Sequence, residues 1–406
     1  MIHGHHRVVP SSRCATDAPP GAPPACADRL REHRRFTWSV RDGGDCAELV
    51  TEFLSDNGLP VRDLRRTADQ PHPYGQLRVC GAALYVSAAA GAHLLGAPPG
   101  PPSPVPAVPD VVAVVYTHGP RHAEPPVPRP RRGGLHLTDR RPSWTPARHA
   151  LAVGEARAAI ARGDVYQVNL VGHERAAYSG DPRPALRRVA TLRGARYGGI
   201  LTGPGWALAT ASPETLVEVR DGRVLTRPIK GTRPATAAGR AELLGSAKER
   251  AEHVMIVDLE RNDLAMLPGT GPVTVEELYA VRRWCDLWQA ESTVSAPLVD
   301  KVSLADLLRA VAPGGSVTGA PKRSAVEHIA RLEPVGRGVS MGALGWVGTG
   351  HLDLGLSIRT VAVDATAVHV WAGGGITWSS DPWAEVAEAA AKAAPIWAAL
   401  GSSTRG

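Results

Sequence analysis

"SPETLVEVRDGRVLTRPIKGT", residues 212–232, contains two apolar-alternating runs joined by Asp221-Gly222. That pair is a strong signal for a two-residue hairpin loop, whose central positions both take positive φ. Folding such a hairpin brings its ends together, so Glu214 and Lys230 become neighbours despite their separation in sequence. A strict two-residue loop would pair Glu214 with Ile229 and turn Lys230 to the opposite face. One extra loop residue or a bulge would put both on the same face. The register stays open at this level. An acid and an amine share a locale either way.

Helix and strand signals extend outward from this hairpin. On the N-terminal side, "ALAVGEARAAIARG" (150–163) has helical composition and ends on glycine, and "DVYQVNLVG" (164–172) then alternates as a strand, with Gln167 and Asn169 on one face. On the C-terminal side, Ser246–Leu264 reads as an amphipathic helix bearing Glu249, Glu252 and His253. Further along, "APGGSVTGAPKRS" (312–324) is a glycine-rich loop running into a helix, a geometry that offers backbone N–H groups to an anion. It is not a nucleotide-phosphate loop, because Ala320 and Pro321 intervene between Gly319 and Lys322. Near the C-terminus the strand ending "AGGGI" (372–376) precedes a helix that starts at Asp381-Pro382. That helix places Glu385, Glu388 and Lys392 on one face. Together with Glu252 these carboxylates are what a Mg²⁺ site shared with an anionic substrate requires.

The first half of the chain is less informative. Residues 1–30 are rich in proline and alanine and are expected to form a loose tail, and Gly96–Asp110 is too proline-dense for helix or central strand. "DVVAVVYTH" from Asp110 reads as a strand. With 406 residues, 43% hydrophobic and 21% charged, the chain is long enough for a sizeable core. The net charge of +7 does not indicate nucleic-acid binding, since the arginines are scattered and the "RPRR" run at 129–132 lacks aromatic platforms. Five cysteines (Cys14, Cys26, Cys46, Cys80, Cys285), widely spaced and without a C-x-x-C pair, indicate neither a disulfide framework nor a zinc site, and fit a reduced cytosol. No apolar run suggests an export signal or a membrane anchor, so a cytoplasmic protein is expected.

Seven elements, "VYQVNL", "SPE", "RPIKGTRP", "KERAEHVMIVDLERNDL", "PGGSVTGAPK", "SIRT" and "AGGGI" followed by E-x-x-E-x-x-x-K, stand in this order on one chain. Together, over about residues 150–396, they resemble the chorismate-utilising enzymes, in particular their aminodeoxychorismate synthase component I branch. The resemblance implies an α/β fold of the α+β type, with large antiparallel sheets flanked by helices and the site between two subdomains. It also implies a catalytic portion at 150–396, a divergent N-terminal portion at 31–149 and a short tail at 397–406.

The resemblance implies roles as well. Glu252 and Glu388, with Glu385 through water, match the ligands of a Mg²⁺ that anchors a carboxylate of chorismate. Gln167, Thr232, Ser316, Thr318, Gly319, Arg359, Gly374 and Lys392 match positions around the substrate. Glu214 matches the general acid that protonates the departing C4 hydroxyl, which requires a carboxyl kept protonated until the bond breaks. Lys230 matches the lysine that marks the branch aminating C4. It must be neutral to add to the ring, so its site must lower its pKa. Anthranilate synthases carry alanine there, and water-adding relatives carry lysine where this chain has Gln167. The chain departs from the pattern at Gln289, where a histidine is usual, and at Ser340 and Trp346. No G-x-C-x-G elbow is present, so ammonia is expected from a separate glutamine amidotransferase subunit.

Overall fold

The computed structural model describes residues 18–23, 26, 30–66, 79–118, 134–284 and 287–401. Cys14, Cys285, most of the expected N-terminal tail and the 129–132 arginine run lie outside the described residues. The described residues form two antiparallel sheets with helices packed on them. The ten-stranded sheet runs in the order Leu30–Trp38, Val111–His118, Val79–Val86, Ala343–Gly348, His351–Leu356, Thr215–Arg220, Arg223–Arg227, Leu287–Pro297, Ile229–Pro234, and Thr274–Trp284 also pairs with Leu287–Pro297. The seven-stranded sheet runs Gly319–Ala320, Gln167–Ser179, Ala367–Ile376, Thr360–Val363, Trp206–Ser212, Tyr197–Gly203, and His136–Pro142 pairs with Gln167–Ser179.

The chain crosses between the sheets at Pro213-Glu214, between the strand ending at Ser212 and the one starting at Thr215, and again at Ser357–Arg359. Both crossings carry residues the sequence marked for chemistry. The helix Pro146–Arg162 ends on Gly163 in the left-handed region (φ 82°), as the composition of 150–163 predicts. Gly96–Asp110 contains neither helix nor strand, and the strand Val111–His118 follows it.

Three expected boundaries are redrawn. The stretch before residue 30 is not uniformly a tail. The Ala18 carbonyl accepts a hydrogen bond from the Ile200 N–H at 3.2 Å, Cys26 is buried, and Gly21 lies against Trp346 so closely that a Cβ there would meet the Trp346 Cβ at 3.0 Å. The last helix, Pro382–Gly401, continues beyond Ile396 because Trp397, Ala399 and Leu400 bury apolar surface in a core with Val368 and Val370. The 149/150 boundary does not separate packing units, since Val79–Val86 pairs along its length with Ala343–Gly348 and both feed one hydrophobic core. Among the described residues no helix is long and apolar enough to cross a membrane.

Candidate active site

The register left open by the sequence is set by two irregularities. Asp221 (φ 51°) and Gly222 (φ 69°) form the tight turn, and Arg220 pairs with Arg223 as a strict two-residue loop demands. Between Glu218 and Thr215 the pairing then shifts by one residue, so Thr215 faces Arg227. This bulge cancels the alternation that would have separated Glu214 from Lys230. Beyond Pro228, which cannot donate to a ladder, the chain continues against Leu287–Pro297: Ile229 pairs with Glu291 and Lys230 with Ala290. A second shift follows at Gly231 (φ 67°), after which Thr232 faces Gln289. Glycine is required at 231, where a Cβ would meet Leu243 Cδ1 at 2.5 Å in addition to the strain of positive φ.

Glu214 and Lys230 therefore interact. The Glu214 carboxyl is buried and accepts hydrogen bonds from Ser316 Oγ (2.8 Å) and from the Ile229 backbone N–H. Burial raises its pKa above the ordinary carboxylate value, with Lys230, Ser316 and Lys392 opposing that rise. Burial also lowers the Lys230 ammonium below its ordinary value. Glu214 opposes that shift, Lys392 adds to it, and Glu252 and Glu388 are close enough to oppose it further. An acid biased toward protonation and an amine biased toward neutrality thus face one another.

Near this pair, glycines let strands of the seven-stranded sheet pack closely. Gly319 (φ 142°) pairs with Val168, and a Cβ on it would fall 2.0 Å from the Gln167 carbonyl. Gly373 packs on the Leu170 carbonyl, where a Cβ would lie 1.9 Å away, and Gly375 lies over the Gln167 amide, 2.8 Å from its Nε2 on the same measure. Gln167 Nε2 and Asn169 Oδ1 are buried without a hydrogen-bond partner, two polar atoms for a bound group to satisfy. Ser316 faces Glu214, but Thr318 is turned inward: its hydroxyl donates to the Gly314 carbonyl at 2.8 Å and holds the loop. Thr232 is exposed and lies 3.4 Å from Gln289 Nε2, and Gln289 is buried. Arg359 (φ 49°), on the second crossing, has its pKa lowered by burial and raised by Glu214.

The carboxylates form a looser group. A Cβ on Gly374 would meet Glu385 Oε2 at 3.2 Å, Glu388 Oε1 at 3.5 Å and Lys392 Nζ at 3.5 Å, so the missing side chain leaves a cradle among them. Lys392 Nζ donates to Glu388 Oε1 (2.7 Å) and to the Gly373 carbonyl (3.0 Å), placing a cation in that cradle. Glu252 Oε1 accepts from Thr377 Oγ1 at 3.4 Å. The three carboxylates do not close into a triad within 4.8 Å of one another. This donor set fits Mg²⁺, which dehydrates reluctantly and is usually held by one or two carboxylates with waters and substrate oxygens.

Sequence reasoning missed the buried acids beneath this site. Glu260 and Asp263 lie on the inward stripe of the helix Ala247–Met266, two and three turns beyond Glu252. Glu260 is pushed up to about 8 by burial and by Asp263, and accepts from Thr226 Oγ1 at 3.0 Å. Asp263 is raised to about 6 by burial, against the pull of Lys322 Nζ, which donates to it at 2.7 Å. Their spacing at 252, 256, 260 and 263 follows the helical period and was the available signal. His253 was also missed as a site neighbour. It is buried, 2.5 Å from Ser292 Oγ through Nε2, and pushed down to about 4 by burial and by Lys230.

Comparison with known proteins places this arrangement. The chain is 39% identical over 241 residues to aminodeoxychorismate synthase component 1 of Salmonella typhimurium, covering 58% of this chain and 53% of that protein. It is 40% identical over 252 residues to anthranilate synthase component 1 of Streptomyces coelicolor, covering 60% and 49% respectively. The chain thus spans about half the length of these curated relatives. The crystal structure of anthranilate synthase component I from Streptococcus pneumoniae superposes with a TM-score of 0.73 at 25% identity, over 97% of this chain and 95% of that one. Residues 107–398 match the description "chorismate binding enzyme", and the chain belongs to that family.

Proposed function

We propose that this chain aminates chorismate at C4, giving 4-amino-4-deoxychorismate on the route to p-aminobenzoate, with ammonia supplied by a separate glutamine amidotransferase in the cytoplasm. The observation that carries this reading is the pairing of Lys230 with Glu214 across the hairpin bulge, with their protonation biased in opposite directions. Neutral Lys230 adds to the ring at C2 as Glu214 gives its proton to the C4 hydroxyl, which departs as water. Ammonia then adds at C4, the ring–lysine bond breaks with its electron pair returning to Lys230, and the new ammonium returns a proton to Glu214. Atoms and protons balance: chorismate and ammonia become the amino product and water. Glu252 and Glu388 would hold Mg²⁺, with Glu385 through water, and the ion would anchor a substrate carboxylate. Gln167, Arg359, Lys392 and the Ser316–Gly319 loop would bind the remaining polar groups.

The 40% identity to an anthranilate synthase component supports a second reading, amination at C2. Mass-spectrometric product identification separates the two. The chain is incubated with chorismate, Mg²⁺ and ammonium at alkaline pH, with and without aminodeoxychorismate lyase. p-Aminobenzoate formed only with the lyase supports C4 amination. Anthranilate, or no product, overturns it.

A further inference from the structure

Away from the candidate active site, Cys26, Cys80 and His118 bring three ligand atoms within 4.8 Å of one another. Cys80 lies at the start of the strand Val79–Val86 and His118 ends the strand Val111–His118. These strands pair through Val79 and Thr117, and His118 pairs onward with Leu30. Two neighbouring strands thus deliver Cys80 and His118 to one point, where Cys26 meets them. Cys26 and Cys80 are buried and His118 is half-buried.

A single buried cysteine is ordinarily a small hydrophobic residue. Two thiols and an imidazole converging are a soft-metal donor set. Tetrahedral Zn²⁺ takes Cys sulfur at about 2.3 Å and His nitrogen at about 2.0–2.1 Å, which puts the ligand atoms roughly 3.5–4 Å apart, within the span found. Sulfur hydrogen-bonding between Cys80 and Cys26 already places the two side chains in contact.

We infer that Cys26, Cys80 and His118 form a binding site for Zn²⁺ or a similar soft divalent ion, with a fourth position open to water. Loading replaces two thiol protons with one divalent ion: both sulfurs bind as thiolates, two protons are released, and with neutral imidazole and water as the other ligands the site carries no net charge. The ion would tie Cys26 to the ends of two strands, and so act on stability rather than on the amination chemistry.

The test is Co²⁺ titration of the full chain after reduction and stripping with a chelator. A sulfur-to-cobalt charge-transfer band that saturates at one equivalent, shows tetrahedral d–d transitions and is displaced by Zn²⁺ is expected. Cobalt among Glu252, Glu385 and Glu388 gives no sulfur band, so the two sites are distinguished. Cys26→Ser and Cys80→Ser should each abolish the saturable band. His118→Asn should weaken binding by at least the roughly tenfold to hundredfold that loss of even an outer partner costs. A folded wild-type chain with titratable thiols but no sulfur band overturns the inference. So does non-reducing peptide mapping that finds Cys26 and Cys80 joined as a disulfide, if the reduced pair takes no cobalt. The wild-type titration decides the matter even if a cysteine variant fails to fold.

Discussion

Lys230 and Glu214 share one titration problem. In the proposed reaction, addition to the ring needs a neutral amine and departure of the hydroxyl needs a protonated carboxyl, so the reactive state carries one proton on the pair, located on the acid. The same proton count also describes the ion pair, which is unreactive. Burial of both groups disfavours that charged form, and this is the physical content of the opposite shifts. Activity should therefore follow a bell in pH whose limbs belong to the pair. Glu214→Gln should lower kcat about 10²- to 10⁴-fold, the usual worth of a positioned acid, and lose the alkaline limb. Lys230→Ala should abolish the C4-aminated product, as read by mass spectrometry; unchanged product would show that the lysine is not the nucleophile. Glu260 gives a stability prediction. Its folded-state value of about 8 lies above the unfolded value of about 4.5, so between these pH values the native state holds a proton the unfolded chain has released. Its contribution to stability is intact below the unfolded value and is lost as pH rises toward 8. In Glu260→Gln this loss should vanish, so urea midpoints at pH 5 and pH 8 should differ less than in the wild type. An unchanged pH dependence would mean that Glu260 is ionised in the fold.

At the scale of the elements, glycines decide where side chains can meet. Gly231→Ala would adopt a left-handed conformation costing about 1–2 kcal/mol and would push a Cβ into Leu243. Both a lower thermal midpoint and a lower kcat are expected, since Lys230 is the next residue; a variant with full activity would show that the bulge does not position the lysine. Gly374→Ala is milder. The three atoms nearest its Cβ would be the ends of the flexible side chains Glu385, Glu388 and Lys392, so the fold should survive while the Mg²⁺ concentration for half-maximal activity rises. Activity titrations against Mg²⁺ together with far-UV circular dichroism check both halves of that expectation. The Asp221-Gly222 turn, the Pro146–Arg162 helix with its Gly163 stop and the glycine run were legible because each follows from local backbone chemistry. The bulge between Thr215 and Glu218 was not, because it answers to pairing partners distant in sequence: His351–Leu356 on one side, and on the other the strand Arg223–Arg227, itself held by Leu287–Pro297. The burial of Glu260 and Asp263 escaped for a similar reason. Acids on a helix ordinarily mark its solvent face, and only Lys322 and Thr226, from elsewhere in the chain, make these two tolerable inside.

For the whole molecule, the question is whether the first 149 residues are a domain or a part of one. Val79–Val86 is hydrogen-bonded on one side to Val111–His118 and on the other to Ala343–Gly348, so the N-terminal strands complete a sheet that the C-terminal half begins. Trp346, fully buried, is enclosed by that junction: Gly81 leaves no room for a Cβ against its ring, Gly21 lies on its Cβ, and Tyr116 stacks on it at 5.8 Å between centroids. Cutting at residue 150 would remove every one of those neighbours and leave Ala343–Gly348 as an open apolar edge, a template for aggregation. A fragment of residues 150–401 is therefore expected to be insoluble or molten, although it carries all the candidate catalytic residues. The full chain should melt in a single calorimetric transition with matching calorimetric and van't Hoff enthalpies. Trp346→Ala should destabilise it by about 3–5 kcal/mol, the range for a large buried aromatic, and shift the whole transition rather than split it. A monodisperse fragment with native-like circular dichroism, or two separated transitions in the full chain, would instead mean that the shared sheet joins two units that can each stand alone.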